Sequence, residues 1–294
     1  MREQLVGYAI RAVASRPRQQ FAAHSGLTAQ ELDAHLAELE PLMQLRPLAE
    51  LVDSERFLYL DTVTILMSGR MSSRKLIGLL EPAAISPGDE ESAEALRHLR
   101  AAREVAFQLL LLGADINETL RYGNRMYDEF AAAIAAPTHS ERKAALSAIE
   151  ERVLQDAIFT DRGSGLVATY LFSSREEVQA IPGRVLTSLL MPALSAVETA
   201  YTRTEAYAAV TKAAFGAQAS LQRQEDPLKA LAALKSGETP LGIDPFDGQP
   251  LRVRVDDRGL VIYSIGPNGV DNGGFKHDER DDCDDLRVIL TLAP

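Results

Sequence analysis

The sequence predicts a mainly α-helical chain that ends in a small α+β part: a helical bundle, then a long helix packed on a three-stranded antiparallel sheet. Three observations predict it. Apolar residues recur at helical spacing from residue 1 to about residue 223. Four prolines then fall between residues 226 and 250, where the character of the chain changes. From residue 251 onward, short apolar or alternating runs are bounded by turn residues. The expected division is a helical domain over residues 1–190 and an α+β domain over residues 191–294.

The helices follow in order. The opening segment places Leu5, Ala9, Ile10 and Val13 at helical spacing. Thr28 precedes AQELDAHLAELEPLM with Glu31 three positions on, a capping box. Ser54 is the expected start of ERFLYLDTVTILMSG, which Gly69 closes. A long helix is expected over EESAEALRHLRAAREVAFQLLLLG, ending at Gly113. Asp115 then caps a helix whose Ile116, Leu120, Gly123, Tyr127, Phe130 and Ile134 form one apolar stripe. Pro137 stops it, and Thr138 with Glu141 forms another capping box. Short connections imply antiparallel neighbours. DRGSGLVATYLF reads as a turn, since it lacks the GxSxG spacing of a nucleophile elbow and the lysine of a phosphate loop.

After Pro192 one alanine-rich helix runs to about residue 223, with Leu194, Val197, Tyr201, Tyr207, Val210, Ala214, Ala217 and Leu221 on its apolar face. A short helix and turns follow. LRVRV and LVIYSIG, joined by DDRG, form a hairpin, and RVILTLA is the third strand.

Composition excludes several functions. The net charge of −11 opposes binding to nucleic acid or anionic lipid. Cys283 is the single cysteine, so no internal disulfide forms, and the acids of DDCDD disfavour its thiolate. The histidines, His24, His35, His98, His139 and His277, have no zinc spacing; surface or packing roles are expected for His98 and His139, and a solvated one for His277. The N-terminus lacks the apolar core of a signal peptide, and FQLLLLG is too short to span a bilayer.

One stretch concentrates charge. Between Asp271 and Asp285 stand seven carboxylates, opposed within the run by Lys276 and Arg280. Two readings remain open from the residues themselves. The run is a solvated loop, or its carboxylate, amide and carbonyl oxygens surround a hard cation such as calcium, outside the EF-hand register.

Several motifs bear on that choice. DPFDGQPL at 244 to 251, YSIGPNG at 263 to 269, the glycine pair at 273 and 274, and DDL at 284 to 286 occur in this order behind a long helix. In this the last hundred or so residues resemble the major pseudopilin of bacterial type II secretion. The resemblance implies a structural Ca²⁺ in the loop before the last strand. By it, Asn268 matches the side-chain ligand, Ile265 offers its carbonyl, and Asp284 and Asp285 match the acidic residues ahead of the strand. Asp271 and Asp282 are further candidates that the motif does not fix. DDCDD stands where the family has a tidier D-x-D. The family's leader and apolar N-terminal helix are not in this chain, and an upstream export segment or membrane anchor is expected instead. The whole layout is similar to uncharacterised bacterial envelope proteins.

The resulting expectation is a non-enzymatic cell-envelope or secretion-related protein, periplasmic or extracellular if exported and otherwise cytoplasmic. Protein partners or self-association are expected, with no nucleic acid and no membrane segment in the chain. Two alternatives stand: a metal-dependent hydrolase using the C-terminal carboxylates, and a helical module that binds a partner.

Overall fold

The computed structural model of the chain describes residues 2–24, 26–70, 115–161, 174–190, 194–223, 227–236, 241–275 and 279–291. The helices are α1 (Arg2–His24), α2 (Ala29–Met43), α3 (Leu48–Met67), α4 (Ile116–Ile134), α5 (His139–Asp161), α6 (Arg175–Leu190), α7 (Leu194–Arg223) and α8 (Pro227–Ser236). The strands are β1 (Arg252–Asp256), β2 (Gly259–Ser264) and β3 (Leu286–Leu290). The chain is mostly helical, with a small antiparallel sheet near its C-terminal end and the long helix α7 packed against it. The helix expected to end at Gly113 and the turn after Asp161 lie outside the described residues, as do His98 and His277.

Contacts gather the chain into two units. The first holds Met1–Leu48, Ala136–Ala144 and Ser195–Pro294; the second holds Ala49–Ala135 and Ala145–Leu194. The first 48 residues, expected in the helical domain, therefore belong with the sheet. Ala22, Ala23 and Leu32 of α1 and α2 share one buried cluster with Val210, Phe215, Leu260, Ile262, Val288 and Leu290. The apolar faces of α1 and α2 need a cover, and α7 with one face of the sheet supplies it.

In this first unit the sheet order is β1-β2-β3, with both pairs antiparallel. β2 lies between its neighbours and is buried at every position. Asp256 pairs with Gly259, so Asp257 and Arg258 form a two-residue hairpin loop. Gly259 has φ +131°, and a Cβ there would stand 2.2 Å from the Leu290 carbonyl oxygen. Only glycine lets β2 and β3 meet at this corner.

Helix starts follow the local chemistry. Thr28 and Glu31 exchange both bonds of a capping box, and so do Thr138 and Glu141. The Asp115 carboxylate accepts from the Asn117 amide at 2.8 Å. Two expectations are corrected. α3 begins at Leu48 rather than at Ser54, whose hydroxyl donates back to the Glu50 carbonyl inside the helix. α1 turns a different face inward. Ala9 is exposed, and Ile10 and Val13 are 63% and 70% exposed, while Tyr8, Ser15, Gln19 and Ala22 are buried. Partners on α7 select this rotation: Gln19 Nε2 donates to Thr211 Oγ1 at 3.2 Å, and the Tyr8 ring meets Tyr201 edge-on.

The second unit is helical. Gly123, Tyr127 and Phe130 of the α4 stripe are buried, with Thr119, Met126 and Ala133 beside them. Gly123 lets the Tyr59 ring approach within 2.0 Å of where a Cβ would stand, and the Tyr59 hydroxyl meets Thr187 Oγ1 at 3.0 Å. Tyr59 and Phe130 both pack on Tyr127.

Candidate functional site

The candidate site lies between β2 and β3, in the first unit. The turn at 244 to 250 builds its base. The Asp244 carboxylate is fully buried and accepts from the Phe246 amide at 3.0 Å, the Ser264 hydroxyl at 2.8 Å and the Ile265 amide at 2.9 Å. Arg252 Nη1 also reaches it, at 3.2 Å. One carboxylate thus fastens the turn, β1 and the end of β2 together. The sequence showed Asp244 only as part of a turn motif; its position directly before Pro245 was the available signal for a structural aspartate.

The described acids of the run sort into three classes, and Asp278 lies outside the described residues. Asp271 and Glu279 are paired with arginines from the strands. Arg252 Nε lies 3.1 Å from Asp271, Arg258 Nη1 lies 2.8 Å from Glu279, and Arg287 Nη2 donates to Glu279 at 2.6 Å. Asp281 and Asp282 are exposed. Asp284 and Asp285 turn inward, and each keeps one carboxylate oxygen, Oδ1, buried without a hydrogen-bond partner among the described residues.

The last pair is held by backbone amides. The Asn268 amide donates to Asp284 Oδ2 at 3.0 Å, and the Gly274 amide to Asp285 Oδ2 at 2.7 Å. Gly266, at φ +72°, lets Asp284 approach closely. Asp285 is only 1% exposed. Burial pushes its carboxyl up to about 6, the negative charges of Asp271 and Asp284 add to this, and the Gly274 and Asn272 amides oppose it. Burial raises Asp284 as well, against the pull of the Asn268 amide.

The other expected ligands are placed as follows. Asn268 Oδ1 accepts from the Val270 amide at 2.7 Å, and its Nδ2 donates to Asn272 Oδ1 and to the Asp282 carbonyl. Ile265 follows β2, with its amide on Asp244 and its side chain packed beside Ala206, Phe246 and Leu286. The structure thus brings Asn268 and Asp284 into direct contact. Asp271 is engaged by Arg252 and the Gly273 amide. Asp282 enters only through its carbonyl, with its backbone at φ +62°. Among the described residues no three Asp, Glu, His or Cys side chains gather at one point, so a cation here depends on two carboxylates completed by amide and carbonyl oxygens. Asp285, buried, and Asp284, half-buried, are the carboxylates of the run with such an oxygen.

The Arg280 and Arg254 guanidinium groups stand 3.8 and 4.6 Å from the centre of the Phe275 ring. Cys283 is free and buried.

A second polar cluster escaped the sequence reading. Glu198 of α7 is wholly buried. Its Oε1 accepts from Arg142 Nε and Thr202 Oγ1, both at 2.9 Å. Its Oε2 lies 2.8 Å from His139 Nδ1, and the His139 ring stands edge-on to Phe246. Burial alone would raise the Glu198 carboxyl; its bonds to His139, Arg142 and Thr202 outweigh that and hold it below its ordinary value. His139 does have the packing role expected of it, within an ionic cluster that its place after Thr138 did not announce.

Comparison with protein-family models, with curated proteins and with solved structures gives no match. No helix among the described residues is long and apolar enough to cross a membrane.

Proposed function

We propose that the chain is a non-enzymatic structural or interaction protein of the bacterial envelope, whose pseudopilin-like C-terminal part is fastened by calcium between β2 and β3. The observation that carries the reading is the pair Asp284 and Asp285, each with a buried oxygen that no described residue hydrogen-bonds. Leaving such oxygens unmatched is costly, and a hard cation removes the cost. Asp284 and Asp285 would hold the ion, with Asn268 and the Ile265 carbonyl completing the set that the resemblance implies. Asp271 and Asp282 are left out, the first paired with Arg252 and the second exposed.

The experiment is thermal unfolding with calcium and with EDTA. Millimolar calcium raises the melting temperature and EDTA reverses the gain, because an ion that binds only the folded state stabilises it by mass action. Asp285→Asn abolishes the calcium response. A melting temperature indifferent to calcium across the millimolar range rules out the ion.

A further inference from the structure

α1 has two apolar faces, and the core covers one of them. Tyr8, Ser15, Gln19 and Ala22 turn inward. On the opposite side Val6, Ile10, Val13 and Pro17 follow one another at steps of four, three and four residues. A period of 3.6 residues stacks them into one stripe. Phe21 extends it, although its ring also meets Phe215 and His35. All five are exposed, Val6, Ile10 and Val13 at 58%, 63% and 70%. Single exposed apolar residues are ordinary on a protein surface; a continuous line of them along a helix marks a contact. The stripe stands on the outward side of one helix, so it is a ridge rather than a groove.

Arginines border the ridge on both sides. The same period sets Arg11 and Arg18 along one margin and Arg16 along the other. Arg11 Nη1 donates to the Gln44 carbonyl at 2.8 Å. Among the described side chains, none of the three pairs with a carboxylate. Arg16 also borders a cavity that Asp284 and Asp285 line, so Arg11 and Arg18 carry most of the local positive field. The charge of −11 is unevenly spread along the chain. Within α1 four arginines stand against one glutamate, a net +3 with His24 neutral. The charge that opposes an anionic surface for the whole chain is thus reversed at this helix.

We propose that α1 docks the protein on an anionic lipid bilayer, lying along the surface. The stripe enters the headgroup boundary, and the arginine stems cover its margins while their guanidinium groups reach lipid phosphates. A bilayer accepts a convex ridge, which no groove on a protein needs to match. A second copy fits less well, because an α1–α1 contact sets the same arginines against each other. The acidic remainder of the chain is repelled by the same surface, which turns α1 toward it. The helix lies on the bilayer and does not cross it, since no helix among the described residues is long and apolar enough. This docking goes beyond the calcium reading and does not depend on the ion.

The test is flotation of the full chain with vesicles in EDTA, so that calcium takes no part. Vesicles of phosphatidylcholine with about 40% phosphatidylglycerol bind it about tenfold or more tighter than vesicles of phosphatidylcholine alone. Raising sodium chloride from about 0.05 M to about 0.5 M weakens this binding about tenfold. Ile10→Asp with Val13→Asp weakens it about tenfold as well, and Arg16→Glu with Arg18→Glu removes the preference for the anionic lipid. Circular dichroism and the melting temperature check that both variants are folded. Val13→Cys carrying an NBD label shifts to the blue and brightens on the anionic vesicles; the parent chain treated alike controls for label at Cys283.

Equal binding to both vesicles, or binding to neither, overturns the proposal. So does binding that Ile10→Asp with Val13→Asp leaves unchanged, since the stripe is then not the contact. A concentration-dependent dimer that the same variant dissolves overturns it too, and makes a second copy the occupant. Melting temperatures with calcium and EDTA, taken without vesicles, keep the two readings apart: a calcium response without lipid binding rejects the docking alone, and lipid binding without a calcium response rejects the ion alone.

Discussion

Asp285 carries a buried charge that the fold opposes. Its carboxyl sits near 6 against an ordinary 3.8, so the folded state holds a proton that the unfolded state has released. Stability therefore falls as pH rises from about 4 to about 6, and the penalty is complete above 6. In EDTA the expected slope amounts to about 3 kcal/mol over that range, and Asp285→Asn removes it; urea titration across pH measures both. Glu198 has the opposite sign. Its carboxyl is held low, so its contribution is present above its ordinary value and is lost as pH falls through the lowered one. Glu198→Gln leaves the half-buried Arg142 and the buried His139 beside a neutral amide. It should cost about 3 kcal/mol at neutral pH, read as a lower urea midpoint, and should flatten the acid limb. The acidic run was plain in the sequence, but its sorting was not. The arginines that neutralise Asp271 and Glu279 come from β1, the hairpin loop and β3. Only pairing across the sheet shows which carboxylates they reach, and only the fold shows which two of the others turn inward.

At the scale of elements, most of the secondary structure was legible because it rests on neighbouring residues. Capping boxes at Thr28 and Thr138 act over three positions, and each strand was marked by its own alternation and turns. The rotation of α1 was not legible. Ile10 and Val13 outscore Ser15 and Gln19 by hydropathy, yet Gln19 finds Thr211 across 192 positions. The expected alternation in β1 gives no clean inside and outside either. All five of its residues are half-buried, because Arg252 and Arg254 lie under the loop, on carboxylates and on Phe275. Gly259 is the most demanding junction between elements. Gly259→Ala should cost about 2 kcal/mol or more, since it joins an unfavourable φ to a clash with backbone. Gly248→Ala, at φ +72° with open space around it, should cost only about 1 kcal/mol. Denaturant midpoints of the two variants compare them directly.

For the whole molecule, the informative feature is which parts of the chain share a core. The first unit gathers three separate stretches, while the second draws on residues 49 to 194 apart from a nine-residue excursion. Local spacing cannot reveal such gathering, because α1 and α2 look like members of any bundle until α7 and the sheet are present to receive them. The shared cluster also sets an order of events during synthesis. Ala22 and Leu32 leave the ribosome some 250 residues ahead of their partners Val288 and Leu290. The second unit's residues are all available about a hundred positions sooner. Until β3 emerges, the cover over the apolar surface of α1 and α2 is incomplete, a state in which aggregation competes with folding. The first unit's closure is thus timed by translation, and its long sequence separations make it the slower folder of the two.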